Sequence, residues 1–168
     1  KTKRELKKTI IAIDPAVTNQ ENSDLTGIVA AGLDVNNEAV VLDDYSIKAS
    51  PNDWAQRAVN AYHEHQAAYI VAEVNQGGDM VEAMIHNIDK TIKVVKVRAS
   101  KGKYARAEPV AAFYERGEVR HDKDLPDLEM EMCEYVPLNS KKSPDRLDAL
   151  VWALTDLIVK ESTSWFMA

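Results

Sequence analysis

The chain has 168 residues, a length that fits one domain with a substantial core, and a net charge of −6 that does not by itself suggest a nucleic-acid binder. Its single cysteine, Cys133, excludes an intrachain disulfide and a cysteine-based zinc site. No apolar run reaches the roughly 20 residues of a membrane-spanning helix, and no signal peptide is visible. The chain begins with Lys1 and not with Met, so we expect an excised domain or a processed product.

The first part of the chain is predicted to form three strands and a helix. Residues 1–8 are basic and are predicted to be a lead-in or a linker remnant. A buried strand is predicted for Thr9–Asp14, which is rich in β-branched residues and ends before a proline. Two further strands, "GIVAAGLDV" and "AVVLDDYSI", flank a predicted turn at Asn36–Asn37. Ser50 as N-cap and Pro51 at the first helical position then predict the start of a helix.

The rest of the chain alternates between predicted strands and helices. "AYIVAEVN", "TIKVVKVRAS" and "EVRH" are predicted strands, and "MVEAMIHNI", "YARAEPVAAFYERG" and "DLPDLEMEMCEYV" are predicted helices. A final amphipathic helix begins with Ser143 as N-cap and Pro144. This order predicts an α/β domain over residues 9–160, with a tail at 161–168. We expect a mixed sheet of about five or more strands, a three-strand meander followed by parallel strands, with helices on both faces.

Four acidic residues occupy the ends of predicted elements. Asp14 ends the first strand, Glu73 lies near the end of the fourth, and Asp145 and Asp148 stand in the first turn of the last helix. Ligand sites in open α/β sheets gather at strand ends, so residues distant in sequence can meet there. A cluster of carboxylates without His or Cys suits Mg²⁺ or Mn²⁺.

Each acid also has a structural explanation. Asp14 before a proline is typical of a turn that ends a strand. Glu73 could face solvent through strand alternation, although its neighbours read as core, where an unpaired carboxylate is costly. Asp145 would interact favourably with the helix dipole whatever its function. Asp148 lies past the cap beside the apolar stripe, so it has the weakest structural explanation.

Four stretches resemble, in order, the nuclease domain of the large terminase subunit of tailed bacteriophages. They are "IAIDPA", "VAEVNQGGDMV", "VRASKGKYARAEPVAAFYERGEV" and "KKSPDRLDALVWALTDL", and the similarity spans Thr9–Val159. The resemblance implies a ribonuclease H-like fold and an endonuclease that cuts concatemeric double-stranded viral DNA with two divalent cations, Mg²⁺ or Mn²⁺. It also implies that the domain works in the cytoplasm of the infected bacterial host.

The resemblance assigns the catalytic and metal-binding roles residue by residue. The first-strand aspartate of the family falls on Asp14, and the acid of the "AEVNQGG" strand falls on Glu73. The "D-x-x-D-A" element of the last helix, a pattern also found in RuvC-like resolvases, falls on Asp145 and Asp148. Asp148 is expected to be the essential ligand of this pair, with Asp145 supporting the second ion.

The resemblance also implies partners. Family large subunits carry an upstream ATPase domain and act with the portal and the small terminase subunit, and no membrane is involved. The chain contains no G-x-x-x-x-G-K-[ST] motif, because Gly102-Lys103 is followed by Tyr104. We therefore expect the isolated nuclease half, without an ATPase of its own.

DNA would be held by basic residues outside the acidic cluster. A run of basic residues passes from the fifth strand into the next helix, and two lysines precede the last helix. The residues predicted to contact DNA are Lys96, Arg98, Lys101, Lys103, Arg106, Lys141 and Lys142. For any single member, a solvated surface is the simpler explanation; as a group they favour contacts to phosphate. Trp54, Trp152 and Trp165 are predicted to serve packing and not base stacking.

Three other functions compete with this hypothesis. A RuvC-like Holliday-junction resolvase would use the same acids on a branched substrate. An actin-like or sugar-kinase-like ATPase module also begins with a strand ending in Asp, but it needs a glycine-rich phosphate loop where this chain has Pro15-Ala16. A docking domain with a decayed site is disfavoured because all four acids are present.

Overall fold

A six-stranded mixed sheet forms the centre of the domain. The computed structural model describes residues 5–15, 25–74, 78–99, 102–134 and 145–159, and the side chains of residues 78, 79, 103 and 104 stand outside that description. The strands are β1 Leu6–Asp14, β2 Gly27–Asp34, β3 Ala39–Asp44, β4 Tyr69–Glu73, β5 Val94–Val97 and β6 Val119–His121. Their order across the sheet is β5-β4-β1-β2-β3-β6.

The pairing directions follow the predicted plan. Strands β1, β2 and β3 form an antiparallel meander, and the turn between β2 and β3 places Asn37 at a positive φ of 63°, a conformation that asparagine tolerates. Strand β4 pairs parallel to β1, β5 parallel to β4, and β6 parallel to β3. The predicted mixed sheet of a meander followed by parallel strands is confirmed.

Five α-helices are described, and each agrees with a predicted helix. They are α1 Pro51–Glu64, α2 Gly78–Ile88, α3 Lys103–Glu115, α4 Pro126–Glu134 and α5 Asp145–Leu154, which continues into a π-helical turn at Thr155–Val159. Ser50 is the N-cap of α1, as predicted, whereas the predicted start of the last helix at Ser143 and Pro144 lies outside the described residues. Among the described helices, none is both long and apolar enough to cross a membrane.

Helices cover both faces of the sheet, and the strand alternation explains why. In β1, Ile10 and Ala12 belong to the core under α3, α4 and α5, whereas Ile11 and Ile13 belong to the core under α1 and α2. A strand buried on both faces needs apolar side chains at successive positions, which is why β1 reads as an uninterrupted apolar run. We call the side of the sheet covered by α5 the α5 face.

Strand β1 begins earlier than the sequence predicts. Leu6 pairs with Asp34 and Lys8 pairs with Leu33, so the strand starts at Leu6 and not at Thr9. Residues 6–8 therefore belong to the sheet and not to the lead-in predicted for residues 1–8. The two lysines at positions 7 and 8 are the reason that the sequence pattern does not predict a strand here. Lys7 is exposed to solvent, and the Lys8 ammonium donates a hydrogen bond to the Tyr69 hydroxyl at 3.0 Å, so the strand accommodates both charges.

Candidate metal centre

Two of the predicted acids end neighbouring parallel strands and face the same side of the sheet. Asp14 ends β1 and Glu73 ends β4, each one residue beyond Ile13 and Ala72, the last residues that pair between these two strands. Side chains alternate along a strand, so Asp14 follows Ala12 onto the α5 face. By the same alternation, Glu73 follows the core residue Val71 onto that face. The two carboxylates therefore approach each other where the apolar core ends.

The other two acids come from the first turn of α5, which packs across β1 and β2. This packing brings backbone against backbone at Gly27, the residue that pairs with Asp14. A Cβ at Gly27 would lie 2.1 Å from the carbonyl oxygen of Asp145 and 3.0 Å from the Cβ of Ala149. Only glycine allows this approach, and the approach sets the start of α5 directly over the end of β1.

Three of the four acids form one cluster. One carboxylate oxygen from each of Asp14, Asp145 and Asp148 lies within 4.8 Å of the others, a spacing at which the three could hold one cation. The cluster is built only from oxygen donors, the donor type that hard divalent cations such as Mg²⁺ and Mn²⁺ prefer. Glu73 adjoins the cluster through a hydrogen bond with Asp14.

The electrostatics of the cluster are unfavourable without a cation. The pKa of Asp14 is raised from 3.8 to about 9. Burial is the largest cause, and the hydrogen bond to Glu73 and the charges of Glu73, Asp148 and Asp145 raise it further. Carboxylates at such distances repel each other, and one keeps its proton when no positive charge is near. The arrangement therefore fits a positively charged ligand.

Glu73 has two further neighbours that the sequence did not reveal. The indole Nε1–H of Trp152 donates to Oε2 of Glu73 at 3.0 Å, and Nη1 of Arg106 lies 3.9 Å from Oε1. Trp152 is buried, as predicted for a packing residue, but it also bonds a candidate metal ligand. The sequence predicts that Arg106 contacts DNA; in the structure its side chain is only 14% exposed and stacks on Trp152, with Cζ 4.8 Å from the ring centroid. The signal for Trp152 was its position one turn after Asp148 on α5.

The start of α5 is anchored by acids of α4 and β3. Glu131 accepts hydrogen bonds from the backbone N–H groups of Arg146 at 3.2 Å and Leu147 at 3.4 Å, and from the Arg146 guanidinium at 2.9 Å. The guanidinium also lies 3.0 Å from Asp44. A carboxylate on the first N–H groups of a helix satisfies donors that the helix cannot satisfy itself. No sequence motif indicates Glu131, because a capping side chain that comes from another helix leaves no local pattern.

The remaining predicted DNA-binding residues are only partly described. Lys96 and Arg98 are exposed at and just beyond the end of β5, the strand next to β4, and Lys96 Nζ lies 4.0 Å from Glu82. Val97 pairs with Glu73, so both basic residues lie at the same end of the sheet as the acids. Lys101, Lys141, Lys142 and the side chain of Lys103 lie outside the described residues.

The sheet order and the acids on β1, β4 and α5 define a domain of the ribonuclease H-like class. Within that class, residues 11–157 match the family described as "Terminase RNaseH-like domain". The chain belongs to this family, which confirms the resemblance seen in the sequence. No curated protein sequence matches the chain.

Solved structures share the fold at low sequence identity. The large terminase nuclease of the thermophilic phage G20c is 17% identical, with a TM-score of 0.66 over 88% of this chain and 81% of that one. A mutant nuclease domain of the large terminase subunit of bacterial virus Sf6, solved with manganese, is 15% identical, with a TM-score of 0.62 over 88% of this chain and 87% of that one. RuvC of Thermus thermophilus is 14% identical, with a TM-score of 0.52 over 92% of this chain and 97% of that one. The G20c nuclease has also been solved with bound magnesium.

Proposed function

We propose that this domain is a divalent-metal-dependent DNA endonuclease that hydrolyses phosphodiester bonds of concatemeric double-stranded DNA while a viral genome is packaged. The observation that carries the proposal is the meeting of Asp14, Asp145 and Asp148 within 4.8 Å, with Glu73 hydrogen-bonded to Asp14. Membership of the terminase family supports the packaging role. The place of action is the cytoplasm of the infected bacterial host.

Two Mg²⁺ or Mn²⁺ ions are the proposed cofactors. The oxygen-only donor set and the raised pKa of Asp14 support a divalent cation at this position. The magnesium and manganese bound to the solved terminase nucleases support the same two metals. Asp14 and Asp148 would serve as the principal ligands, while Asp145 and Glu73 complete the set.

The protein contributes a rigid, preorganised frame for the reaction. When bound, the cations would activate the attacking water and stabilise the leaving 3′ oxygen of the phosphodiester. Asp14 and Glu73 come from adjacent strands and Asp148 from a helix packed on them, so the three carboxylates hold their spacing before a substrate arrives. The burial of Glu73 and Asp148, which are 7% and 9% exposed, keeps water from competing for their oxygens.

DNA would reach the site across the exposed basic residues beside it. Lys96 and Arg98 lie at the carboxyl end of β5. The proposed phosphate-binding set also includes Lys101, Lys103, Lys141 and Lys142. Charge-reversing substitutions of Lys96 and Arg98 are expected to weaken duplex binding and flatten its dependence on salt. Lys48 is an exposed lysine on the segment after β3 and provides the control. Unchanged affinity and salt slope would refute the DNA-binding role.

We propose further partners for this domain in the infected host. They are the upstream ATPase domain of the terminase large subunit, the portal and the small terminase subunit. None of these roles needs a membrane.

The decisive experiment is cleavage of a supercoiled plasmid with added Mg²⁺ or Mn²⁺. Wild type is expected to nick and linearise the plasmid, and excess EDTA is expected to abolish cleavage. Asp14→Asn and Asp148→Asn should each lose about 100-fold or more, because each removes a ligand charge while preserving the shape of the side chain. Full cleavage in EDTA, or by both variants, would refute the proposal.

The same assay separates a terminase nuclease from a junction resolvase. The likeness to RuvC concerns the fold, which both functions share. A terminase nuclease is expected to cut linear duplex and a four-way junction of equal length at similar rates. A strong preference for the junction would favour the resolvase.

A further inference from the structure

Trp152 combines a packing role with one polar contact to the acidic site. The residue is 6% exposed and belongs to the core on the α5 face. Its one polar atom, Nε1, donates to Oε2 of Glu73 at 3.0 Å. The spacing of Asp145, Asp148 and Trp152 along α5 puts all three on one face of the helix. The helix that supplies two acids therefore also contacts a third acid, on β4.

Arg106 packs against the Trp152 indole and lies near the second oxygen of the Glu73 carboxylate. Its guanidinium stacks on the indole, with Cζ 4.8 Å from the ring centroid, and its Nη1 lies 3.9 Å from Oε1 of Glu73. The side chain is mostly buried. The indole is thus held between α3 and the core, so its N–H can take few other directions. The Glu73 carboxylate meets a hydrogen-bond donor at one oxygen and a positive charge near the other.

We propose that Trp152 is a positioning residue that orients the Glu73 carboxylate for metal binding. This inference rests on the proposed function and deepens it, since it concerns how one ligand of the same site is held. A carboxylate can rotate about its last side-chain bond, and a fixed donor on one oxygen restricts that rotation. Outer partners of metal ligands affect metal affinity by about 10-fold to 100-fold.

Trp152→Phe tests the proposal because phenylalanine keeps an aromatic ring but has no N–H. Calorimetric titration with Mn²⁺ is expected to show an affinity about tenfold weaker than that of wild type. Trp54→Phe is the matched control: Trp54 is also buried, but it packs in the core under α1, on the opposite face. Mn²⁺ affinity of the control should stay within about twofold of wild type. Wild-type affinity in Trp152→Phe would overturn the proposal.

A double-mutant cycle distinguishes positioning from packing. In a Glu73→Gln background the orientation of a charged ligand no longer matters, so adding Trp152→Phe should change Mn²⁺ affinity by less than about twofold. A packing role predicts the same loss in both backgrounds, and that result would overturn the proposal.

If Trp152→Phe does not fold, the wild-type indole N–H provides the measurement. Its ¹H–¹⁵N resonance is expected to shift during titration with Mg²⁺, following the binding curve seen by calorimetry. A resonance that does not move while Mg²⁺ binds would overturn the proposal. Wild type that neither binds Mn²⁺ nor cuts plasmid refutes the proposed function and the inference with it. Wild type that binds and cuts, beside an unaffected Trp152→Phe, refutes the inference alone.

Discussion

The contact between Gly27 and the start of α5 gives a test of how the site is assembled. In Gly27→Ala the added Cβ would lie 2.1 Å from the carbonyl oxygen of Asp145 and 2.8 Å from its carbonyl carbon. Both atoms belong to backbone, so no side-chain rotation can relieve the overlap. The helix start must move away from β2 by more than about 1 Å to reach an ordinary van der Waals distance.

This displacement has two measurable costs. Overpacking of this kind typically lowers the free energy of unfolding by about 1–3 kcal/mol, which urea denaturation measures. Asp145 and Asp148 move with the helix while Asp14 stays on the sheet, so the cluster opens. Misplacement of a catalytic group by about 1 Å can cost about 100-fold in rate, so we expect a loss of that order in plasmid cleavage and weaker Mn²⁺ binding.

Gly32→Ala is the matched control, because Gly32 lies on the same strand at the end remote from the acids. Its Cβ would meet Cδ1 of Leu6 at 3.0 Å and the Lys8 carbonyl oxygen at 3.1 Å, a tight but smaller overlap. We expect some loss of stability with Mn²⁺ affinity near that of wild type. Gly27→Ala with wild-type metal affinity and cleavage would refute the reasoning, as would an equal loss of cleavage in the control.

Three further predictions concern single acids. The pKa of Asp14 is about 9 in the folded protein, above its ordinary value of 3.8. Protonation of Asp14 therefore stabilises the fold fully below about pH 4, and this stabilisation is lost as the pH rises to about 9. In EDTA at pH 9, Asp14→Asn should therefore unfold with a free energy at least about 1 kcal/mol higher than wild type; equal urea midpoints would contradict this. Glu131→Ala removes the hydrogen-bond acceptor at the start of α5 and should lower the free energy of unfolding by about 1–3 kcal/mol. The control is Glu134→Ala, at an exposed position on the same helix as Glu131, which should change the free energy of unfolding by less than about 0.5 kcal/mol. Asp145→Asn should reduce Mn²⁺ affinity, but Asp53→Asn, in the first turn of α1, should not. If the two substitutions cost the same stability and neither changes metal affinity, Asp145 serves only the helix dipole.

Local sequence patterns predicted most of the elements. The apolar run of β1, the Ser50-Pro51 start of α1 and the helical spacing in α5 each follow from interactions within a few residues. The acids at the ends of β1 and β4 could be predicted as a site because parallel strands end at one edge of a sheet. The terminase resemblance named the same acids from motifs.

Contacts between distant residues could not be read in this way. The start of β1 at Leu6 depends on pairing with the end of β2, and the polar composition of residues 6–8 concealed it. Arg106 looked like one more surface charge in a basic run, and its burial against Trp152 follows only from the packing of α3 beside α5.

By itself, the sequence determined which residues could carry charge at the ends of buried elements, since hydrophobic periodicity and capping act locally. Only the tertiary structure decided that Asp14, Asp145 and Asp148 meet within 4.8 Å and that Trp152 bonds Glu73. The physical reason is that helix-on-sheet packing at Gly27 brings together residues more than 100 positions apart along the chain, including Asp14 and Asp145, while the cap from Glu131 holds the start of α5 in place. Such distances are fixed by the summed packing of the whole domain and by no local pattern.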